Sequence, residues 1–583
     1  MHSEKQTHDQ QTPESGTETD LIAAVYESAS KYPDNPALTA PPRRNGKPGK
    51  TVSYRELVAA VESTAAALQR DGFGPGERLL FSVRPGPAAF TLALAAVRAG
   101  GSIVFIDPGV GPELFRKRAS LASPRWAAAE SILYALSAPG PLRPLARRRG
   151  LLLPNYGAMK VRHFHSGSWL PGVPLKSRNV RALSRKGYSD DGVTSGGSAG
   201  SDPLVAPADP RQEAVIIFTS GTTGHPKGVV HSRGTLAAGF RQLSTRCTFS
   251  AGDRIHSEQL MMGLPALIAG AHWTMPAYGL SARIDPLRFA AELGASAGHR
   301  GEASYGPASH VFLVPSQMAP ILDAIDAGQL SWPAPLKTVM LGAAPVLASF
   351  LERAMRLLPN VGFHCIYGMT EVLPVAIAGG REKLDFASGL TAEFRTEGGL
   401  GEGDYLGEPL PGVQARVEQD HELMLSGQNM CLGYLGEDTM TEMATGDLVR
   451  LDHGPEAVDG AGDGRRGRLV MLGRKKDMII RGKTNIYPGL YEPLIAGIDG
   501  VAQAVLIGVP NAIGDEAVCL VVEPIRGYSP VEVKRTIERE LSLLIDESAL
   551  PDRIEVMPSL PGSGRHNKTD RVALRALFSE SIP

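Results

Sequence analysis

The sequence predicts a protein of mixed α/β and α+β class, with a large N-terminal part of layered α/β subdomains, a β-rich subdomain, and a small C-terminal α+β unit. Three observations predict it. Strand and helix patterns alternate from Arg78 to Ile106, as in a parallel α/β unit. Short apolar strands crowd into Gln414 to Val470. After Arg474-Lys-Lys-Asp477 the pattern changes to a compact unit of about 100 residues, an ordinary domain size. A chain of 583 residues buries several cores without disulfide or metal staples.

Residues 1–20 are polar, lack the apolar stretch of a signal peptide, and read as a disordered tail. Leu21 to Tyr32 has helical apolar spacing. So does Tyr54 to Gly72, where Leu57, Val58, Val61, Ala65, Ala66 and Leu68 form the stripe. Arg78 to Val83 reads as a buried strand, a helix runs to Arg98, and Ser102 to Ile106 is a second strand. Ala138 to Pro210 differs: Arg147-Arg-Arg149 reads as a solvated face, and the Gly/Ser run Thr194 to Ser201 as a mobile connection. Alternation resumes at Ala214 and continues to about Leu410. Glu422 to Leu425 and Arg468 to Leu472 are strands of the β-rich stretch. Val501 to Val509, a strand Ala517 to Val522 and a helix Pro530 to Leu544 build the last unit. The expected division is 21–475 and 476–583, and no internal repeat is visible.

Sixty Lys and Arg balance sixty-one Asp and Glu, for a net charge of -1. That balance argues against a polyanion-coating protein, so no nucleic-acid partner is expected. No apolar run reaches the roughly 20 residues of a spanning helix, so no membrane span and a cytoplasmic location are expected. Cys247, Cys365, Cys431 and Cys519 lack the close spacing of a zinc or redox motif and read as buried thiols.

The chemistry is carried first by the run Val215 to Val230, in which an apolar strand leads into Thr219, Ser220, Gly221, Thr222, Thr223 and Gly224, then Lys227. Small residues let backbone N–H groups approach an anion, hydroxyls add donors, and the lysine adds a point charge. This is the inventory for a polyphosphate. It is not a Walker A loop, because Pro226 precedes the lysine and Gly228 follows it. Glu371 follows a Tyr-Gly turn and has the hard oxygen ligands that Mg²⁺ needs; alone, it reads as a surface carboxylate. Asp447 follows Gly446, so the backbone there can approach a ligand; alone, it is a turn residue. Lys568 lies among Arg565, His566 and Arg571, which alone is a basic solvated segment.

Together these strings resemble the adenylate-forming superfamily of acyl-CoA synthetases, adenylation domains and luciferases, over about residues 21 to 580. Thr219 to Gly228 resembles its phosphate loop. Gly342, Ala343, Ala344 and Pro345 resemble the loop against the adenine. Tyr367, Gly368, Met369, Thr370 and Glu371 resemble its Tyr-Gly-x-Thr-Glu motif. Thr445-Gly-Asp447 resembles the motif whose carboxylate holds the ribose hydroxyls, and Gly473-Arg474-Lys-Lys476-Asp477 the hinge motif. Asn567-Lys568-Thr-Asp-Arg571 resembles the C-terminal catalytic-lysine motif. The resemblance implies ATP and Mg²⁺, with Glu371 on the metal. It gives catalytic roles to Lys227, Thr370, Glu371 and Lys568, and makes Arg474 part of the nucleotide site. It also implies a mobile C-terminal lid that turns at Lys476.

After the hinge, acyl-CoA ligases carry Arg-Gly-Gly-Glu-Asn-Ile-x-Pro, whereas this chain reads Arg481-Gly-Lys-Thr-Asn-Ile-Tyr-Pro488. Lys483 stands where a glycine lines the pantetheine tunnel; it narrows the tunnel or points to solvent. Asn485 to Pro493, Gly368 to Val375, Arg565 to Asn567 and Val104 to Gly109 resemble instead the β-lactone synthetases of bacterial olefin biosynthesis and related natural-product enzymes. That resemblance implies ATP-dependent activation of a β-hydroxy acid and ring closure by its own hydroxyl. It also leaves room for contact with other biosynthetic enzymes. The alternatives are an acyl-CoA ligase on a fatty-acid-like substrate and a non-catalytic adenylation fold that binds nucleotide or acyl groups. Met261 and Met262 lie near the usual acyl site and suit a pliable pocket or ordinary core. His310 and His364 are candidate bases by residue type only.

Overall fold

A computed structural model of the chain describes residues 20–42, 49–148, 153–185, 209–219, 226–278, 284–294, 306–388, 403–452, 467–481, 484–510, 516–545, 549–563 and 568–579. The Gly/Ser run, Arg149 and Lys483 lie outside them. Among these residues, no helix is long and apolar enough to cross a membrane.

The helix Leu21–Lys31 begins where the apolar spacing predicts, but its cap, Asp20, lies in the stretch read as tail. Asp20 is its N-cap, accepting from Ala23 N–H at 2.9 Å, and is buried against the guanidinium of Arg233. A buried carboxylate needs such a partner, and the polar sequence around Asp20 gave no sign of one. The helix Tyr54–Arg70 opens with a capping box of Ser53 and Glu56. Its stripe buries Leu57, Val61, Ala65 and Leu68, while Val58 and Ala66 stay partly exposed. Leu57→Ala is expected to cost about 2–5 kcal/mol.

The described residues form two sheets of eight strands. In the first, Arg78–Ser82 pairs in parallel with Ser102–Phe105 on one side and Trp126–Glu130 on the other. Ser102–Phe105 then pairs with Glu213–Phe218, which turns back antiparallel onto Gly228–Ser232. The stretch read as irregular, Ala138 to Pro210, adds two strands to this sheet, Arg162–Ser166 and Arg178–Asn179. Arg162–Ser166 has a single apolar residue, Phe164, so no alternation marked it. Its place is set by pairing with Trp126–Glu130 and by Phe164 stacking on Trp126 at 5.8 Å.

In the second sheet, His310–Leu313, Thr338–Gly342 and Gly362–Met369 run parallel, and Gly362–Met369 turns back through Thr370-Glu371 into Val372–Gly379. Strands Thr338–Gly342 and Gly362–Met369 therefore end at the same edge. The β-rich stretch is a five-stranded antiparallel sheet that includes Glu422–Gly427, Met443–Asp452 and Arg468–Arg474.

The short turn Lys475–Asp477 leads into the last unit. There Val501–Pro510 pairs with Glu516–Pro524, and the period-two alternation of a strand faces two helices at once. Leu506, Val518, Leu520 and Val522 face Val533, Ile537 and Leu541 of the helix Pro530–Leu544. Val505, Ile507, Cys519 and Val521 face Leu574 of the helix Arg571–Ser579. Gly489 marks a close approach to the preceding sheet: a Cβ there would stand 2.6 Å from the Leu472 carbonyl oxygen. All four cysteines are buried thiols.

Candidate active site

Two constellations gather at the strand ends. The first is built around Asp447, which is fully buried. Its Oδ2 accepts from the Tyr367 hydroxyl at 2.8 Å, and Arg474 Nε lies 2.8 Å from Oδ1. Sheet register sets this geometry, because Asp447 and Arg474 are direct partners across adjacent strands. The preceding Gly446 takes φ +70°, a conformation that favours glycine, and its N–H donates to Glu422 Oε1 at 3.0 Å. Glu422 Oε2 holds Lys475 at 2.7 Å, so one carboxylate ties the strand just before Asp447 to the turn that carries Lys476. Lys476 itself is exposed. Burial beside the Asp447 carboxylate pushes the Tyr367 phenol well above its usual range, so it stays a donor.

The second constellation joins Lys227 to Glu371 through a residue that the sequence reading missed. Lys227 Nζ sits 4.4 Å from the ring centroid of Tyr434, and the Tyr434 hydroxyl donates to Glu371 Oε1 at 3.0 Å. The strand Gly433–Tyr434 pairs antiparallel with Gly228–Ser232, which holds the ring over the lysine. His231 was also missed. It is buried, and its Nε2 lies 2.7 Å from the Thr370 carbonyl. A carbonyl only accepts, so Nε2 carries the proton and Nδ1 faces the Thr235 hydroxyl at 3.1 Å. Burial holds the His231 pKa below its ordinary value. Cys431 N–H donates to the Glu371 carbonyl at 2.8 Å. The Thr370-Glu371 turn is thus fixed from the first sheet by backbone and imidazole contacts, which no local pattern announces.

Thr219 follows the strand Glu213–Phe218 and donates its N–H to the Lys227 carbonyl at 3.2 Å. Ser220, Gly221, Thr222, Thr223 and Gly224 lie outside the described residues. Gly342 closes its strand where a Cβ would stand 3.0 Å from the Ile366 carbonyl oxygen. Ala343 follows at φ +62°, a left-handed conformation that is strained for alanine, and Ala344 and Pro345 continue along the same edge. Gly368 sits at a bulge between the paired positions Tyr367–Ala376 and Met369–Val372. Lys568 lies on the strand Lys568–Thr569 of the C-terminal unit, paired with Gly562–Ser563; its side chain is outside the described set.

Met262 is buried core and Met261 packs against it. His310 is buried, with Nε2 3.1 Å from the Thr248 carbonyl and Nδ1 2.8 Å from Ser309 Oγ, as a satisfied core histidine. His364 is paired in register with Met340 and Gly379, away from the Thr370-Glu371 turn.

The arrangement offers one buried, preorganised acceptor for hydroxyls and one cation beside a carboxylate at the end of a small-residue run. A family model described as AMP-binding enzyme matches residues 25–435. The chain is 26% identical over 584 residues to an olefin beta-lactone synthetase of Stenotrophomonas maltophilia, covering 94% of this chain and 95% of that one. It is 28% identical over 513 residues to the 3-[(3aS,4S,7aS)-7a-methyl-1,5-dioxo-octahydro-1H-inden-4-yl]propanoyl:CoA ligase of Mycobacterium tuberculosis, covering 84% and 86%. Its fold is similar to that of the amide bond synthetase McbA from Marinactinospora thermotolerans, with a TM-score of 0.70 at 19% identity over 96% of this chain and 99% of that one. With most of its length matched, the chain belongs to the AMP-binding enzyme family.

Proposed function

We propose that this adenylate-forming ligase converts a β-hydroxy carboxylic acid and ATP into a β-lactone, AMP and pyrophosphate. The observation that carries the reading is the end-to-end match to an olefin beta-lactone synthetase, through both the N-terminal part and the C-terminal unit. A carboxylate is a poor acyl donor. In the first step its oxygen attacks the α-phosphorus of ATP, an O–P bond forms, and the bond to pyrophosphate breaks. In the second, the β-hydroxyl oxygen attacks the acyl carbonyl, gives up its proton, and AMP leaves with the carboxylate oxygen. Ring closure needs the hydroxyl held against the carbonyl, which is a proximity task.

Roles follow from the two constellations. Asp447 accepts the ribose hydroxyls, with Tyr367 and Arg474 holding the carboxylate. Gly342 to Pro345 lie against the adenine. Thr219 to Gly224 and Lys227 take the phosphates. Lys568 swings in with the C-terminal unit about Lys476 and offsets the charge that develops in the first step. Glu371 would hold a magnesium ion through its carboxylate, the hard oxygen donor that such an ion takes. When bound, it supplies charge neutralisation at the phosphates.

A CoA-ligase reading is favoured by the 28% identity to the mycobacterial CoA ligase. Incubation of the purified protein with Mg-ATP and a panel of β-hydroxy acids, with and without CoA, separates the two. A product lighter than the acid by one water, formed without CoA alongside AMP, is the expected outcome. A thioester formed only with CoA overturns the lactone reading, and nucleotide binding without AMP release from any acid points to a non-catalytic fold.

A further inference from the structure

Asp447 stands where strand pairing slips. Glu422 pairs with Leu448 and Met424 with Ala444, so Thr445, Gly446 and Asp447 together face one residue, Leu423. On the other flank the register shifts again, between Leu448 and Val449. A ladder this irregular does not hold the backbone at Asp447 by strand pairing alone, and backbone N–H groups of a folded chain find partners. Side chains supply them. Thr445 Oγ1 accepts from Asp447 N–H at 3.0 Å and donates to the Leu423 carbonyl at 2.8 Å. Gly446, at φ +70°, donates its N–H to Glu422 Oε1 at 3.0 Å. The Glu422 side chain is 14% exposed, and its Oε2 lies 2.7 Å from Lys475 Nζ, which also reaches Asp420 Oδ2 at 2.7 Å. Lys475 follows Arg474, whose Nε lies 2.8 Å from Asp447 Oδ1. Glu422 thus reaches Asp447 from two directions. One oxygen holds the peptide just before it, and the other holds the neighbour of the arginine on its carboxylate.

We propose that Glu422 is a positioning residue for the Asp447 carboxylate: by accepting from Gly446 N–H it sets how strongly the pocket prefers a nucleotide that carries ribose hydroxyls over one that lacks them. The proposal rests on the reading of Asp447 as the acceptor of those hydroxyls. A bulge re-aims the side chain it carries, and a hydrogen bond weakens steeply as its angle degrades. Slackening the Gly446 turn therefore costs the hydroxyl contacts, whereas adenine and phosphates are held by other residues and keep theirs.

Calorimetric titration of the full chain with Mg-ATP and with Mg-2′,3′-dideoxy-ATP tests it. The wild type should prefer ATP by at least about tenfold, the effect of one hydrogen bond to a charged group. Glu422→Ala should bring that ratio to within about twofold of one by weakening ATP, with the dideoxy nucleotide held within about twofold. Glu422→Gln keeps an oxygen for Gly446 N–H and should retain the wild-type ratio within about threefold. Asp420→Ala removes the other carboxylate on Lys475 without touching Gly446, and should leave the ratio within about twofold. Equal weakening of both nucleotides by Glu422→Ala is the mark of a merely structural role and overturns the proposal, as does no weakening. Loss of the ratio in Glu422→Gln or Asp420→Ala also overturns it, because the charge on Lys475 would then carry the effect. If Glu422→Ala does not fold, Glu422→Asp keeps the charge but shortens the reach by one methylene. Its ratio should fall at least about threefold, and an unchanged ratio overturns the proposal. A wild type that binds both nucleotides equally removes the ribose reading of Asp447 and the proposal with it. A wild type that discriminates, with Glu422→Ala unaltered, removes only the role of Glu422.

Discussion

The Asp447 corner and the Lys227–Glu371 end of the site are built by different means. At Asp447 the acceptor is fully buried, its partners come from neighbouring strands of well-paired sheets, and Tyr367 and Arg474 fix both carboxylate oxygens. At the other end, a lysine rests on an aromatic face and the carboxylate takes a tyrosine hydroxyl, on turns tied across sheets by His231. The difference teaches where binding and chemistry divide. A rigid, satisfied acceptor suits a group that does not change charge during the reaction, such as a ribose hydroxyl. Cations and a carboxylate in a less enclosed setting suit the place where charge moves and metal and phosphate must enter and leave.

The largest expected effect breaks the charge-handling end. Glu371→Gln keeps the shape and the hydrogen bond to Tyr434 but removes the anion. The rate of AMP formation should fall by about 10²–10³, the usual loss for one electrostatic stabiliser, with Tm unchanged. A loss below about tenfold would mean that Glu371 is structural. Asp447→Ala should behave in the opposite manner. The Tyr367 hydroxyl loses a charged acceptor, so stability should drop by about 1.5–3 kcal/mol in urea titrations. AMP and ATP affinities should fall together, since both carry the ribose. A fall in ATP alone would contradict the assignment.

Acid should loosen the two ends unequally. Burial holds the His231 pKa below its ordinary value, whereas in the unfolded chain the residue binds a proton below about 6.5. Its contribution is therefore complete above about pH 6.5. It is lost as pH falls toward the folded pKa, at up to about 1.4 kcal/mol per pH unit. His231→Gln should flatten the fall of the urea midpoint between pH 7 and 5.5, and an unaltered slope would contradict this. His256 and His272 are also held low by burial, His272 at about 3, so the slope is shared and will not vanish. The smallest effect is Tyr434→Phe, which keeps the ring under Lys227 and removes one hydrogen bond to Glu371. About 1 kcal/mol, or roughly fivefold in rate, is expected. Tyr434→Ala, which also removes the ring, should cost more; equal effects would mean that the cation on the ring face contributes nothing.

The same contrast explains what the sequence made legible. Lys227, Glu371, Asp447 and Arg474 stand in contiguous strings whose residue types state their chemistry. The long periodic elements, such as the helix Tyr54–Arg70 and the strands of the C-terminal unit, were also visible. What sequence hid depends on pairing between distant segments. Tyr434 lies 207 positions from Lys227 and His231 139 from Thr370, and neither carries a local pattern pointing to its partner. Arg162–Ser166 had no alternation to betray a strand that its neighbour imposes. Asp20 was lost in a polar run because only its buried partner Arg233 distinguishes it.

The most direct test follows oxygen. With a β-hydroxy acid labelled with ¹⁸O at both carboxylate positions, carboxylate adenylation requires the released AMP to carry one ¹⁸O. The lactone must then keep one ¹⁸O in its carbonyl and an unlabelled ring oxygen from the hydroxyl. Unlabelled AMP beside a lactone that retains both labels would mean that the hydroxyl, not the carboxylate, is activated, and would contradict the account.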